Sequence, residues 1–144
     1  MATFIVWLTN PGLAIAGPNS VPVTENMMIT VLMTAQDNTY RITMADSEAA
    51  RSFIALLPMT LKLSDYHGIE KVADLPKRLD TSDAPAGIKP EVGDVTYYSP
   101  WGNLAIFTKG FGYASGLVLL GRIEGGAAAV RTLGNQEVRL ELAP

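Results

Sequence analysis

The chain contains no cysteine, which excludes disulfides, thiolate metal sites and thiol catalysis. It has one histidine, His67. Any Ser-His-Asp triad would have to pass through that single imidazole, and any zinc site would have to be completed by carboxylates. Charge is sparse and slightly acidic: 11 Lys and Arg against 14 Asp and Glu give a net charge of −3 over 144 residues. Phosphate backbones are held by clustered Lys and Arg, so no nucleic-acid partner is expected. No apolar run approaches the roughly 18 residues of a membrane-crossing helix, so no membrane partner is expected. The short run Phe4–Leu8 has no Lys or Arg ahead of it and stops at Asn10-Pro11-Gly12. It does not fit a secretory signal, and the expected location is cytoplasmic. Apolar residues, by contrast, are plentiful at 48%. That is enough for one core, and too much for a disordered chain.

Residues 1–36 carry one charged side chain, Glu25, where the average composition of the chain predicts about six. Residues 1–26 are expected to be an N-terminal extension and residues 27–144 the folded domain. Two readings stand for the extension, a peripheral segment or an extra strand at Thr3–Leu8. Beyond Met28 the pattern turns regular. Ile29–Thr34 is β-branched and apolar and Thr39–Met44 alternates, with Gln36-Asp37-Asn38 between them, as in a hairpin. Asp46 or Ser47 can cap a helix in which Ala49, Ala50, Phe53, Ile54 and Leu57 share one face, ended by Pro58. Further strands are expected at Met59–Leu63, Ile69–Leu75, Asp94–Tyr98, Asn103–Thr108, Leu117–Leu120 and Glu137–Leu142. Pro76, Pro85, Pro90 and several glycines mark the stretch from Asp65 to Pro90 as mostly loop. A short second helix is expected at Gly126–Leu133. Many short strands with one or two helices point to a mainly β fold, a closed antiparallel barrel without exposed edges.

Several blocks together carry a family resemblance. Gly93-Asp94-Val95-Thr96-Tyr97-Tyr98-Ser99-Pro100-Trp101-Gly102-Asn103-Leu104-Ala105-Ile106-Phe107 is the longest. Asp74-Leu75-Pro76-Lys77-Arg78-Leu79, Phe111-Gly112-Tyr113 and Leu117–Gly121 accompany it in order. From about Met28 to Leu142 the chain resembles a bacterial and archaeal cyclophilin-like family of uncharacterised biochemical role. The resemblance implies an eight-stranded β-barrel whose ends are capped by one or two helices. It does not carry over prolyl isomerase activity residue by residue. True cyclophilins have a Phe-His-Arg block, and none is present here. Their Ser-Gln-Phe-Phe-Ile strand is most similar to Asn103–Phe107, which sets Leu104 at the Gln position. Their His-Val-Val-Phe-Gly strand is most similar to Leu117–Gly121, which sets Leu117 at the His position and Gly112 at that of the Trp before it.

Other chemistries lack their minimum parts. His67 and Glu70 form a His-x-x-Glu pair, too few ligands for zinc, and neither a metal nor a cofactor is expected. Gly112-Tyr113-Ala114-Ser115-Gly116 does not have nucleophile-elbow spacing. Gly110-Phe111-Gly112 lacks the third glycine of a dinucleotide fingerprint. Glu91 and Asp94 straddle Gly93 and read as solvated carboxylates. What stands out is aromatic crowding: Tyr97, Tyr98, Trp101, Phe107, Phe111 and Tyr113 fall within 17 residues of a chain that is 8% aromatic. Tyr97 and Tyr98 are adjacent, so on a strand they face opposite ways and one must leave the core. Trp101 lies in a Pro-Trp-Gly turn. The expected ligand site is therefore an aromatic groove lined by Trp101, Tyr113, Tyr97, Tyr98 and Phe111 and edged by Glu70 and Arg78. The expected ligand is a small molecule or an extended peptide, bound without catalysis. A divergent prolyl isomerase and a self-association module are the alternatives.

Overall fold

In the computed structural model, residues 28–144 are described. The expectation for the N-terminal extension, including its alternative strand, lies outside them. The hairpin forms as its alternation demands. Strand β1 (Thr30–Ala35) pairs antiparallel with β2 (Asn38–Met44), from Thr30 opposite Thr43 to Ala35 opposite Asn38. Helix α1 (Glu48–Ile54) starts at Ser47, whose Oγ accepts a hydrogen bond from the Ala50 N–H at 3.1 Å. That cap satisfies one of the orphan donors of the first turn. Its α-helical part stops short of Leu57. The last turn tightens instead, with Leu56 and Leu57 donating to the carbonyls three residues back, as helix ends often do before a proline.

Strands β3 (Met59–Lys62), β4 (Ser64–Tyr66) and β5 (Glu70–Asp74) follow. Next come β6 (Gly87–Ile88), β7 (Asp94–Tyr98), β8 (Asn103–Phe107), β9 (Ala114–Ser115) and β10 (Leu117–Ile123). Helix α2 (Gly126–Val130) and β11 (Glu137–Leu142) end the chain. The main sheet has nine strands in the order β3-β11-β1-β2-β10-β7-β8-β5-β4. Its two edges, β3 and β4, are separated in sequence only by Leu63. They are two halves of one bent strand, the first paired with β11 and the second with β5. Counted so, eight strands run around a nearly closed barrel, and little edge is left to template aggregation.

The buried Leu63 marks the bend and donates its N–H to Gln136 O at 2.9 Å. β10 bulges between Leu119 and Gly121, where a Cβ on Gly121 would stand 2.5 Å from Thr43 O. Only glycine lets β2 approach so closely.

Val31, Met33, Ile42, Phe53, Val95, Tyr97, Leu104, Ile106, Leu120 and Leu140 fill the interior. β8 is exceptional because all five of its residues are buried, on both faces. A small second cluster of Ala105, Phe107 and Leu117 lies on its other face, with Ile88 and Ala114 packed against it. Those last two belong to the β6–β9 pair, which the loop composition of that region concealed. Asp94 corrects another expectation, since it is 2% exposed rather than solvated. Its carboxylate accepts from Arg122 Nε and from the Glu91 N–H, both at 2.9 Å. A buried carboxylate is tolerated when its oxygens are met in this way. Among the described residues, no helix is long and apolar enough to cross a membrane.

Candidate functional site

Strand alternation builds the site. Tyr97, Leu104 and Ile106 point into the barrel, so their neighbours Tyr98, Asn103, Ala105 and Phe107 point outward. Register carries that outer face across strands. Leu117, Tyr98 and Asn103 form one row over β10, β7 and β8. Tyr66, Glu70 and Phe107 form another over β4, β5 and β8. Between the rows lies an outward pocket of about 210 Å³. Val72, Asn103, Phe107 and Leu117 are its buried or half-buried floor, and Ala114 closes one side.

Aromatic rings stand at the mouth. Trp101 occupies the β7–β8 turn, where its own N–H and that of Gly102 both point at Tyr98 O. Gly102 takes φ +71°, a conformation glycine adopts without strain. Because the turn caps two paired strands, Trp101 projects over the sheet with 58% of its surface exposed. Its indole is nearly perpendicular to Tyr98, with centroids 5.3 Å apart, and to Tyr66, at 5.7 Å. These are favourable edge-to-face separations. Phe111 leans on Phe107 from the following loop at 6.4 Å.

Four of the candidates named from the sequence therefore gather around this pocket: Trp101, Tyr98, Phe111 and Glu70. Three do not. Tyr97 is 1% exposed inside the barrel, and its hydroxyl accepts from the Leu79 N–H at 3.2 Å. Tyr113 is exposed but outside the pocket lining. Arg78 donates from Nη1 to Ser99 O at 2.6 Å and also lies outside it. Sequence reasoning missed Tyr66, Asn103 and Val72. The signal for Tyr66 was local: Gly68 at φ +69° permits a tight β4–β5 turn that sets Tyr66 opposite Glu70.

Glu70 is the one formal charge of the lining. Half-burial pushes its carboxyl above the ordinary value of 4.5, opposed by the nearby His67 charge. His67 itself packs edge-on against Tyr66 at 4.2 Å. The lysine next to Glu70 on β5 is committed elsewhere. Lys71 Nζ reaches Asp65 at 3.3 Å and Asn135 at 3.0 Å. Asp65 is itself held low, first by the Gly68 N–H it accepts and then by Lys71. Among the described residues no three His, Asp or Glu side chains converge to hold a metal ion.

A raised carboxyl has a stability consequence of definite sign. Stability is then fully present below the unfolded value near 4.5 and lost as pH rises through the folded value. Glu70→Gln should accordingly melt above the parent at pH 7 and lose that advantage below pH 4.5. Thermal melts of the two proteins at both pH values check this. A variant that melts lower at pH 7 would mean that Glu70 is held by a favourable partner.

With the barrel and its pocket in place, likeness to known proteins has a structural meaning. The sequence pattern of the Cyclophilin-like family matches residues 33–143. The chain belongs to the cyclophilin-like family. The matched span holds nearly the whole barrel, from within β1 through β11, and every pocket-lining residue. A similar solved structure is the solution structure of the hypothetical protein AF2241 from Archaeoglobus fulgidus. It aligns with a TM-score of 0.55 and 18% identity over 81% of this chain and 95% of that one. At that identity the likeness is one of fold. No curated protein matches the chain.

Proposed function

We propose that this cyclophilin-like domain binds a small molecule, or one side chain of an extended peptide, in the pocket between Trp101 and Phe107, without chemistry on it. The observation that carries the reading is Trp101, largely exposed yet held between two tyrosines over a buried apolar floor. Concave apolar sites with a few polar groups are the usual form of a ligand site. A volume of about 210 Å³ is below the roughly 300–1,000 Å³ of pockets for drug-sized ligands. It suits a head group or a single side chain.

Prolyl isomerisation is disfavoured on the same ground. It must lower a barrier of about 18–20 kcal/mol by stabilising a twisted amide with aimed donors. The lining contains no Arg, His or Gln. Leu104, at the position of the cyclophilin Gln, is inside the barrel, and Arg78 is bonded to Ser99 O.

The test is nuclear magnetic resonance of the labelled protein with a set of small aromatic fragments, beside a proline-peptide isomerisation assay. Bound fragments should shift the Trp101 indole N–H and the amides of Glu70, Asn103 and Phe107, with no acceleration of isomerisation. Shifts confined to other faces of the barrel, or catalysis abolished by Trp101→Ala, would overturn the reading. So would a concentration-dependent dimer in light scattering that protects Trp101.

A further inference from the structure

Apart from the hydroxyls and indole N–H of its aromatic residues, the pocket has two polar side chains, Glu70 and Asn103, and they sit at its opposite ends. Glu70 is in the row with Tyr66 and Phe107, and Asn103 is in the row with Tyr98 and Leu117. Along β8 these rows are separated by the four steps from Asn103 to Phe107, about 13 Å of backbone at ~3.3 Å per residue. Val72 lies between them, and Trp101 spans the interval by touching both Tyr66 and Tyr98. The pocket is an apolar channel with a polar group at each end.

Each end is incomplete. Glu70 has no ion-pair partner among the described residues, and unlike the other carboxylates without one, Asp37, Asp74, Asp80, Asp83, Glu91 and Glu137, it is half-buried rather than exposed. Asn103 is 5% exposed, and its Oδ1 has no hydrogen-bond partner among the described residues. Buried amide oxygens are rarely left unmet, because the desolvation cost is then uncompensated.

Ligand classes can be sorted on these two groups. An anion is repelled by Glu70. A neutral hydrocarbon fills the channel but leaves both ends unmet. A neutral donor serves Asn103 and leaves the half-buried Glu70 without an ion-pair contact. An ammonium, which has donors and no acceptor, satisfies Glu70, and aromatic ring faces attract it further. Tyr66 and Trp101 stand at right angles beside that end.

We propose that the pocket takes a ligand with a protonated amine at one end, a short apolar stem and a neutral amide at the other end. Glu70 is the counter-ion of the amine, Trp101 and Val72 enclose the stem, and Asn103 pairs with the amide. An amide offers both a donor and an acceptor, so it meets Asn103 in either orientation. The inference rests on the binding role proposed above and adds the charge and polarity of what is bound.

The test uses three probes of one length: 5-aminopentanamide, its neutral analogue 5-hydroxypentanamide, and the anion 4-carbamoylbutanoate. Each is titrated at pH 7 into the full chain and into Glu70→Gln, with binding read from the Trp101 indole resonance. The amine should bind at least about tenfold tighter than the alcohol, a difference of ~1.4 kcal/mol, and the anion should not bind. In Glu70→Gln the preference for the amine over the alcohol should disappear. Equal binding of amine and alcohol to the parent, or a preference that survives Glu70→Gln, overturns the inference and leaves the pocket reading standing. Silence from all three probes where aromatic fragments bind overturns it too. Silence from the fragments as well removes the pocket reading itself.

Discussion

Tyr97→Ala should cost about 3–5 kcal/mol of folding stability, while Tyr98→Ala, one residue along, should cost much less. The two side chains have the same chemistry and the same strand, and differ in the face they occupy. Tyr97 is 1% exposed among the interior residues of the barrel. Truncating it opens a ring-sized cavity that packed neighbours refill only in part. It also removes the acceptor for the Leu79 N–H, and the buried donor left unmet puts the loss at the upper end of that range. Tyr98 is half-buried at the pocket wall, where water can occupy the space it leaves. Urea unfolding of both variants decides the matter. Tyr97→Phe separates the terms, since it keeps the ring and removes only the hydroxyl. Equal losses for Tyr97→Ala and Tyr98→Ala would mean that the wall of the pocket is as much core as the barrel interior.

That pair also shows how far the pattern of residues reaches. Alternation requires that one of two adjacent tyrosines leave the interior, but it does not say which. The neighbouring β8 buries both its faces and therefore gives no polar side from which to read the inward direction. The same ambiguity placed Tyr97 in the site beside Tyr98. The barrel was legible because its signals are local: alternation in β2 and β11, a capping Ser47, a Pro58 that ends the helix. The bent strand was half legible, since Met59–Lys62 alternates while Ser64–Tyr66 is polar and exposed. Its second half is held by pairing to β5 rather than by burial. Asn103 was not legible as a site residue, because it shares a pocket with Tyr66 only through register across three strands. Register depends on turn geometry, here on Gly68 and Gly102 at positive φ. Asp94 was missed for a related reason. Its burial depends on Arg122, 28 residues away in sequence.

Trp101→Ala should behave oppositely to Tyr97→Ala. Trp101 is 58% exposed, so little area returns to water when its ring is removed. The turn beneath it is held by backbone bonds to Tyr98 O and by Gly102, none of which involves the indole. Folding stability should therefore change by less than about 1 kcal/mol, the ordinary range for a surface position. Ligand affinity should fall by about 1–3 kcal/mol, as for aromatic residues that anchor a binding site. The perpendicular contacts to Tyr66 and Tyr98 hold the indole over the channel before any ligand arrives. That preorganisation is what concentrates affinity in one side chain. Urea unfolding and a titration with the same aromatic fragment, run on one preparation, separate the two quantities. A stability loss at the core-like value of about 3–5 kcal/mol would make Trp101 a cover for the floor of Phe107 and Leu117, and the channel would lose its anchor.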